Sequence, residues 1–98
     1  MTLNQQDNAM KMSYQVAPEV LFSQIDGDVI ILSAGDDAYL SLDPTGSRIW
    51  LLLQEPLSLD ELVHILTDEY EVTDEDCRAD VRDFLDDMVG RQLILVQQ

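Results

Sequence analysis

Gly35-Asp36-Asp37-Ala38-Tyr39-Leu40-Ser41-Leu42-Asp43-Pro44-Thr45-Gly46-Ser47-Arg48-Ile49-Trp50 is where the hydrophobic pattern of this chain changes period. From Ala38 to Leu42 it alternates as a strand does. Ala38, Leu40 and Leu42 share one face, and Tyr39 and Ser41 the other. Asp43 is a favourable N-cap. Pro44 suits the first helical position, where its missing N–H would have no partner inside the helix. Ile49, Trp50 and, just beyond, Leu53 then supply an apolar helix face. Strand signals lie before this joint and helix signals after it, which predicts an α+β domain.

Upstream, Val20 to Ile25 reads as a first strand, placed after Pro18, which breaks any helix. Asp26-Gly27 is a two-residue hairpin signal, because a type I′ turn needs positive φ. Val29 to Leu32 is an unbroken apolar run, Ser33 to Asp37 a second turn, and Ala38 to Leu42 the third strand. Short antiparallel connections predict a meander with the third strand at an edge. Met1 to about Tyr14 is polar, rich in Asn and Gln, and without periodicity. It is read as a disordered arm, so the domain is expected over 15–98.

Downstream, Pro56 separates the first helix from Ser58-Leu59-Asp60-Glu61, a capping box. Leu59, Leu62, Val63, Leu66 and Tyr70 form the second helix's apolar stripe. Thr73 caps the third helix, with Asp74, Glu75 and Asp76 in its first turn, where the helix dipole favours acid. Cys77, Val81, Phe84, Leu85 and Met88 form its stripe, and Gly90 is the expected C-cap. Leu93 to Val96 reads as a last strand or a packed extension. A three-stranded antiparallel sheet followed by three helices predicts a winged helix-turn-helix-like domain with a three-helix bundle.

Such a fold usually reads DNA, but the charge excludes that here. The 98 residues carry 20 acidic and 5 basic side chains, a net charge of −15. Nucleic acid and anionic membrane surfaces both need Lys and Arg, whereas a basic peptide or protein partner is favoured. The single cysteine, Cys77, cannot form an internal disulfide. With no signal-like apolar run near the N-terminus, the expected location is the cytoplasm.

Catalytic chemistry finds no constellation. His64 is the only histidine and lies in no metal or triad motif. Cys77 sits on an apolar stripe, as a small core residue does. The carboxylates lack calcium-loop spacing, and no glycine-rich phosphate loop is present. No catalytic residue, metal or cofactor is therefore expected, and the chain reads as a binding module rather than an enzyme.

Two patterns carry a family resemblance: Tyr39-Leu40-x-Leu42-Asp43-x-Thr45-Gly46-x-x-Ile49-Trp50, and Val72-Thr73-x4-Cys77-Arg78-Ala79-Asp80-Val81-x2-Phe84-Leu85-x2-Met88. Over about Val16 to Val96 the chain resembles the PqqD family of peptide-recognition domains, and within it most the small stand-alone member of lasso-peptide biosynthesis. One departure is Gly90-Arg91-Gln92-Leu93, where the family more often has its glycine directly before the leucine.

The resemblance implies a non-catalytic protein. Such a protein captures the leader of a ribosomally made precursor peptide and presents it to a processing enzyme. The leader would add a strand against the third strand and pack into a groove shared with the third helix. In the lasso branch the enzyme is a leader peptidase, and the leader carries a Tyr-x-x-Pro element. In the PqqD branch proper the enzyme is a radical-SAM protein.

The resulting candidate peptide-binding residues are Ala38, Tyr39, Leu40, Ser41 and Leu42 of the edge strand, with Cys77, Asp80, Val81, Phe84, Leu85, Asp87 and Met88 of the third helix. The strand segment holds no Lys, Pro or charge, so its edge lacks the usual protection against a pairing chain. On a helical wheel Asp76, Asp80, Asp83 and Asp87 share one flank, suited to a basic leader, and Arg78 and Arg82 the other. Two other classes compete. A winged-helix DNA binder is opposed by the charge. An acyl or peptidyl carrier would use Ser58 for attachment, but Ser58 is better explained as an N-cap, and the strand-rich first half does not fit.

Overall fold

A computed structural model describes residues 12–32 and 39–98. The elements are β1 (Ser13–Val16), β2 (Phe22–Ile25), β3 (Asp28–Ile31), β4 (Leu40–Ser41), α1 (Pro44–Leu52), α2 (Leu59–Glu69), α3 (Asp74–Gly90) and β5 (Ile94–Gln97). They form an α+β domain with a three-stranded antiparallel sheet in the order β2-β3-β4 and a two-stranded sheet of β1 and β5. The meander is the one the turn signals predict. Asp26 and Gly27 both take positive φ, 54° and 88°, as a type I′ turn requires. The second turn, the arm up to Lys11 and Ala38 lie outside the described residues.

The arm ends earlier than Tyr14. Ser13 and Tyr14 belong to β1, where Ser13 pairs with Gln97 and Tyr14 with Val96. The reason is non-local: β1 acquires partners on both edges only after the chain has folded. Tyr14 N–H donates to Leu57 O at 2.8 Å, and Val16 N–H to Leu53 O at 2.9 Å, so the loop after α1 seals the edge away from β5.

Each helix begins as its sequence dictates. The Asp43 carboxylate accepts from Gly46 N–H, Ser58 forms the full capping box with Glu61, and Thr73 accepts from Asp76 N–H. The core gathers Val29 and Ile31 of β3, Ile49, Trp50 and Leu53, then Leu62, Val63 and Leu66 of α2, and Val81, Leu85 and Met88 of α3. Phe22 meets Trp50 edge to face, 5.7 Å between ring centroids. Tyr70, expected on the α2 stripe, is exposed, because the chain is already extended there (φ −123°, ψ 150°).

Gly90 is not the C-cap of α3. The helix runs through it, and Gln92 takes the left-handed conformation, φ 65°. Gln92 N–H donates to Val89 O at 2.9 Å and Leu93 N–H to Met88 O at 3.0 Å, the paired bonds of a Schellman cap. Leu93 and Met88 are both buried beneath it. The left-handed residue is thus the one directly before the leucine, the place where the family more often has glycine.

Candidate functional site

The backbone of β4 is exposed along one side. β4 pairs with β3 through Ile31–Leu40 and Ile30–Ser41. Leu42 N–H donates to Val29 O at 2.9 Å. Backbone groups alternate sides along an antiparallel strand, so the N–H and C=O of Ser41 face away from β3, towards the open edge. Among the described residues no strand pairs with that edge. The tail that could have covered it pairs with β1 instead.

Ser47 fixes where β4 ends. Its hydroxyl accepts from Val29 N–H at 2.8 Å and donates to Leu42 O at 3.3 Å. Val29 N–H and Leu42 O would otherwise bond directly, completing the ladder pair, so a buried hydroxyl is inserted where the sheet stops and α1 starts. Side chains follow the expected alternation: Leu42 is buried, Leu40 half-buried against the core, and Tyr39 and Ser41 exposed on the other face.

α3 supplies the neighbouring wall. Cys77, Val81, Leu85 and Met88 are buried in the core. Phe84, one step round the helix, is half-buried, and its ring lies against the first turn of α1. A Cβ on Gly46 would stand only 3.0 Å from Phe84 Cε1, so the small residue makes room for the ring. Of Val81, Phe84, Leu85 and Met88, Phe84 alone keeps appreciable accessible surface.

The two flanks of α3 differ. On one, Arg78 Nη1 bonds Asp60 Oδ1 of α2 at 2.7 Å, and Arg78 also lies 3.7 Å from Asp74. That flank faces α2. The other, beside Phe84, carries Asp80, Asp83 and Asp87. Asp87 pairs with Arg91 at 3.3 Å, and among the described residues Asp80 and Asp83 have no cationic partner. The acidic flank is therefore the one on the side of the first turn of α1, beside Phe84.

The remaining sequence candidates resolve simply. Burial pushes the Cys77 thiol above its ordinary pKa, and Asp74 and Asp80 add to the effect, so it is a poor nucleophile. Ser58 is buried, its hydroxyl accepting from Glu61 N–H at 3.1 Å while Glu61 Oε1 accepts from Ser58 N–H at 2.8 Å. A carrier's attachment serine would need to be free. Among the described residues no cluster of His, Cys, Asp and Glu could hold a metal ion. No helix there is long and apolar enough to cross a membrane.

Residues 28–94 match the family model described as coenzyme PQQ synthesis protein D (PqqD). The chain belongs to the PqqD family. Among solved structures it is similar to TbiB1 in complex with the TbiA(β) leader peptide, at 34% identity and TM-score 0.73, over 82% of this chain and 93% of that one. It shares the fold of a lasso peptide synthetase B1 complexed with the leader peptide, at 24% identity and TM-score 0.72, over 84% and 96% of the two chains. No curated protein sequence matches it significantly. The PqqD match spans β3 to the start of β5, so it contains the open β4 edge, the Ser47 insertion and the Phe84–Gly46 contact.

In this PqqD-family chain the sequence reading missed two features of the site. One is the Ser47 hydroxyl in the ladder. A serine four residues after an N-cap gives no sign of it, because the role depends on β3 being adjacent. The other is Gly46, whose value lies in the space it leaves for Phe84.

Proposed function

We propose that this chain is a non-catalytic leader-binding protein of ribosomal peptide biosynthesis, which captures a precursor by adding the leader as a fourth strand on β4. The observation that carries this is the outward Ser41 backbone on an edge that the chain's own tail leaves open. Strand addition gives affinity through backbone pairing, and side-chain pockets give selectivity. Leu42 and Phe84 border the added strand on the core side, with Asp80 and Asp87 next to them to attract basic residues. The half-buried Phe84 is the candidate groove floor; Cys77, Val81, Leu85 and Met88 support it from within. Tyr39, Leu40 and Ala38 complete the proposed contact segment. The likeness to TbiB1, solved with a leader peptide, supports the capture step; presentation of the bound leader to a leader peptidase follows from the resemblance to the lasso branch. In this reading the encounter takes place in the cytoplasm, where a lone cysteine stays a thiol.

The match to the coenzyme PQQ synthesis protein D model keeps a second reading open, in which the enzyme served is the radical-SAM protein that the resemblance to the PqqD branch implies. Co-purification with each enzyme class separates the two. The binding itself is tested by titrating the chain with the TbiA(β) leader and with leaders encoded beside its own gene. Saturable binding that Ser41→Pro removes is the expected result. Binding to none of these peptides, or binding indifferent to Ser41→Pro, would sink the proposal.

A further inference from the structure

The face of the three-stranded sheet that points away from the helices is apolar except for Asp28, which lies beside the β2–β3 turn. Register places Leu21, Ser23 and Ile25 opposite Leu32, Ile30 and Asp28 on this side, since Phe22 and Ile31, the alternate pair, point into the core. Tyr39 and Ser41 extend the same row onto the open edge. Tyr39 is 69% exposed, Leu21 65% and Ile25 55%. Ser23, Ile25, Ile30, Leu32, Tyr39 and Ser41 line a shallow depression of about 480 Å³. Its lining carries no charge, on a chain whose net charge is −15. Exposed apolar area of this kind marks contact surfaces on otherwise polar proteins.

Its position says what covers it. Successive side chains of a strand point to opposite faces. A peptide added at β4 cannot send all its side chains towards Phe84; every second one stands on the outer face, in the row of Tyr39 and Ser41. Directly opposed residues on paired strands bring their Cβ atoms to about 4.5–5.5 Å, which makes such a pair a unit of recognition. The outer depression is therefore continuous with the proposed edge contact. A second copy of the chain is a poorer occupant, because each brings the same large negative charge.

We propose that the outer face of β2-β3-β4 reads the row of leader side chains that points away from α3, selecting uncharged apolar residues at alternate positions. This rests on the strand-addition reading above. Selectivity would then come from both sides of one added strand: the Phe84 side accepts one set of residues, and the Tyr39–Ile30 side the other.

The test is a selection of random twelve-residue peptides on the folded chain. Enriched peptides are then measured against the wild type, Ser41→Pro and Tyr39→Asp by fluorescence anisotropy, with circular dichroism confirming each fold. The expected peptides carry apolar residues at every second position in one register. Tyr39→Asp should weaken them about tenfold, through the lost cross-strand pair and the charge placed in its row, and Ser41→Pro should abolish binding. If Tyr39→Asp fails to fold, Tyr39→Ser serves, with a weakening of about threefold expected. Binding lost in Ser41→Pro but unchanged by both Tyr39 variants overturns the outer-face inference while the edge reading stands. Binding indifferent to Ser41→Pro overturns the edge reading and this inference with it. A free chain that sediments as a dimer, and as a monomer once Tyr39 is replaced, makes the face a self-interface and also overturns the inference.

Discussion

β1 and β4 are both short strands at the margin of a sheet, and they treat their backbones in opposite ways. Along β1, Tyr14 and Val16 donate to Leu57 and Leu53 on one side, while β5 pairs on the other. Along β4, β3 pairs on one side and, among the described residues, no strand pairs on the other. Both edges could have been covered, since a tail and a loop were available, and both went to β1. The difference teaches that the two margins are not equivalent: the fold pairs β1 on both sides and, among the described residues, β4 on one side only.

The same substitution made in both strands puts this contrast at greatest risk. Val16→Pro deletes the N–H that bonds Leu53 and leaves a carbonyl unpartnered beside the core, which should cost about 3 kcal/mol or more of stability. Ser41→Pro deletes an N–H that bonds nothing among the described residues and should cost below about 1 kcal/mol, since proline is tolerated where a strand faces solvent. Its effect should fall on leader binding, which is expected to drop at least about tenfold. Urea denaturation and peptide titration of both variants check the pair. Equal stability losses would erase the distinction between the edges.

Phe84→Ala sharpens the open side. A fully buried phenylalanine costs about 3–5 kcal/mol when truncated. Phe84 is half-buried, so a loss of about 1–2 kcal/mol is expected, together with weaker leader binding. A loss in the full-burial range with unchanged binding would make Phe84 a core residue only.

Gln92→Gly acts on the closed side. It relieves the left-handed residue that leads into β5 and should stabilise the fold by about 1 kcal/mol. Leader affinity should not move. A loss of stability would show that the Gln92 side chain does more than fill the cap.

The smallest effect concerns charge. Replacing Asp80, Asp83 and Asp87 with Asn should slow association with a lysine-rich leader a few-fold at low salt, since exposed pairs contribute only about 0.2–1 kcal/mol each. The difference should vanish at high salt. A variant that associates at the wild-type rate in low salt would make the acidic flank a solvated face.

What could be read from the chain was what is decided locally. Asp43, Ser58 and Thr73 announce three helix starts within a few residues of each, and Asp26-Gly27 announces its hairpin. What depended on distant neighbours was illegible. Ser13 and Tyr14 look like part of a polar arm because their partners are Gln97 and Val96, at the other end of the sequence. The end of α3 was misplaced because Gly90 is the better local signal. The need to bring Leu93 down onto Met88 puts the left-handed turn at Gln92 instead. At the candidate site, the alternation of Tyr39 to Leu42 was plain, but the division of the α3 stripe into buried Val81, Leu85 and Met88 and half-open Phe84 was not. That division is made by the space above Gly46, which belongs to another helix.

The Ser47 hydroxyl carries a last implication. By taking Val29 N–H for itself it stops the ladder, and β4 is only two residues long. A long bare edge invites identical molecules to join end to end into fibres, and brevity is one of the ways natural sheets prevent this. Two residues offer too little for another copy to hold, and the charge on each copy pushes its twin away. A guest peptide differs on both counts: it can bring side chains that fit on either side of the strand, and charge of the opposite sign. On the strand-addition reading proposed above, the serine thus helps keep a sticky surface monogamous, open to its client and closed to its own kind.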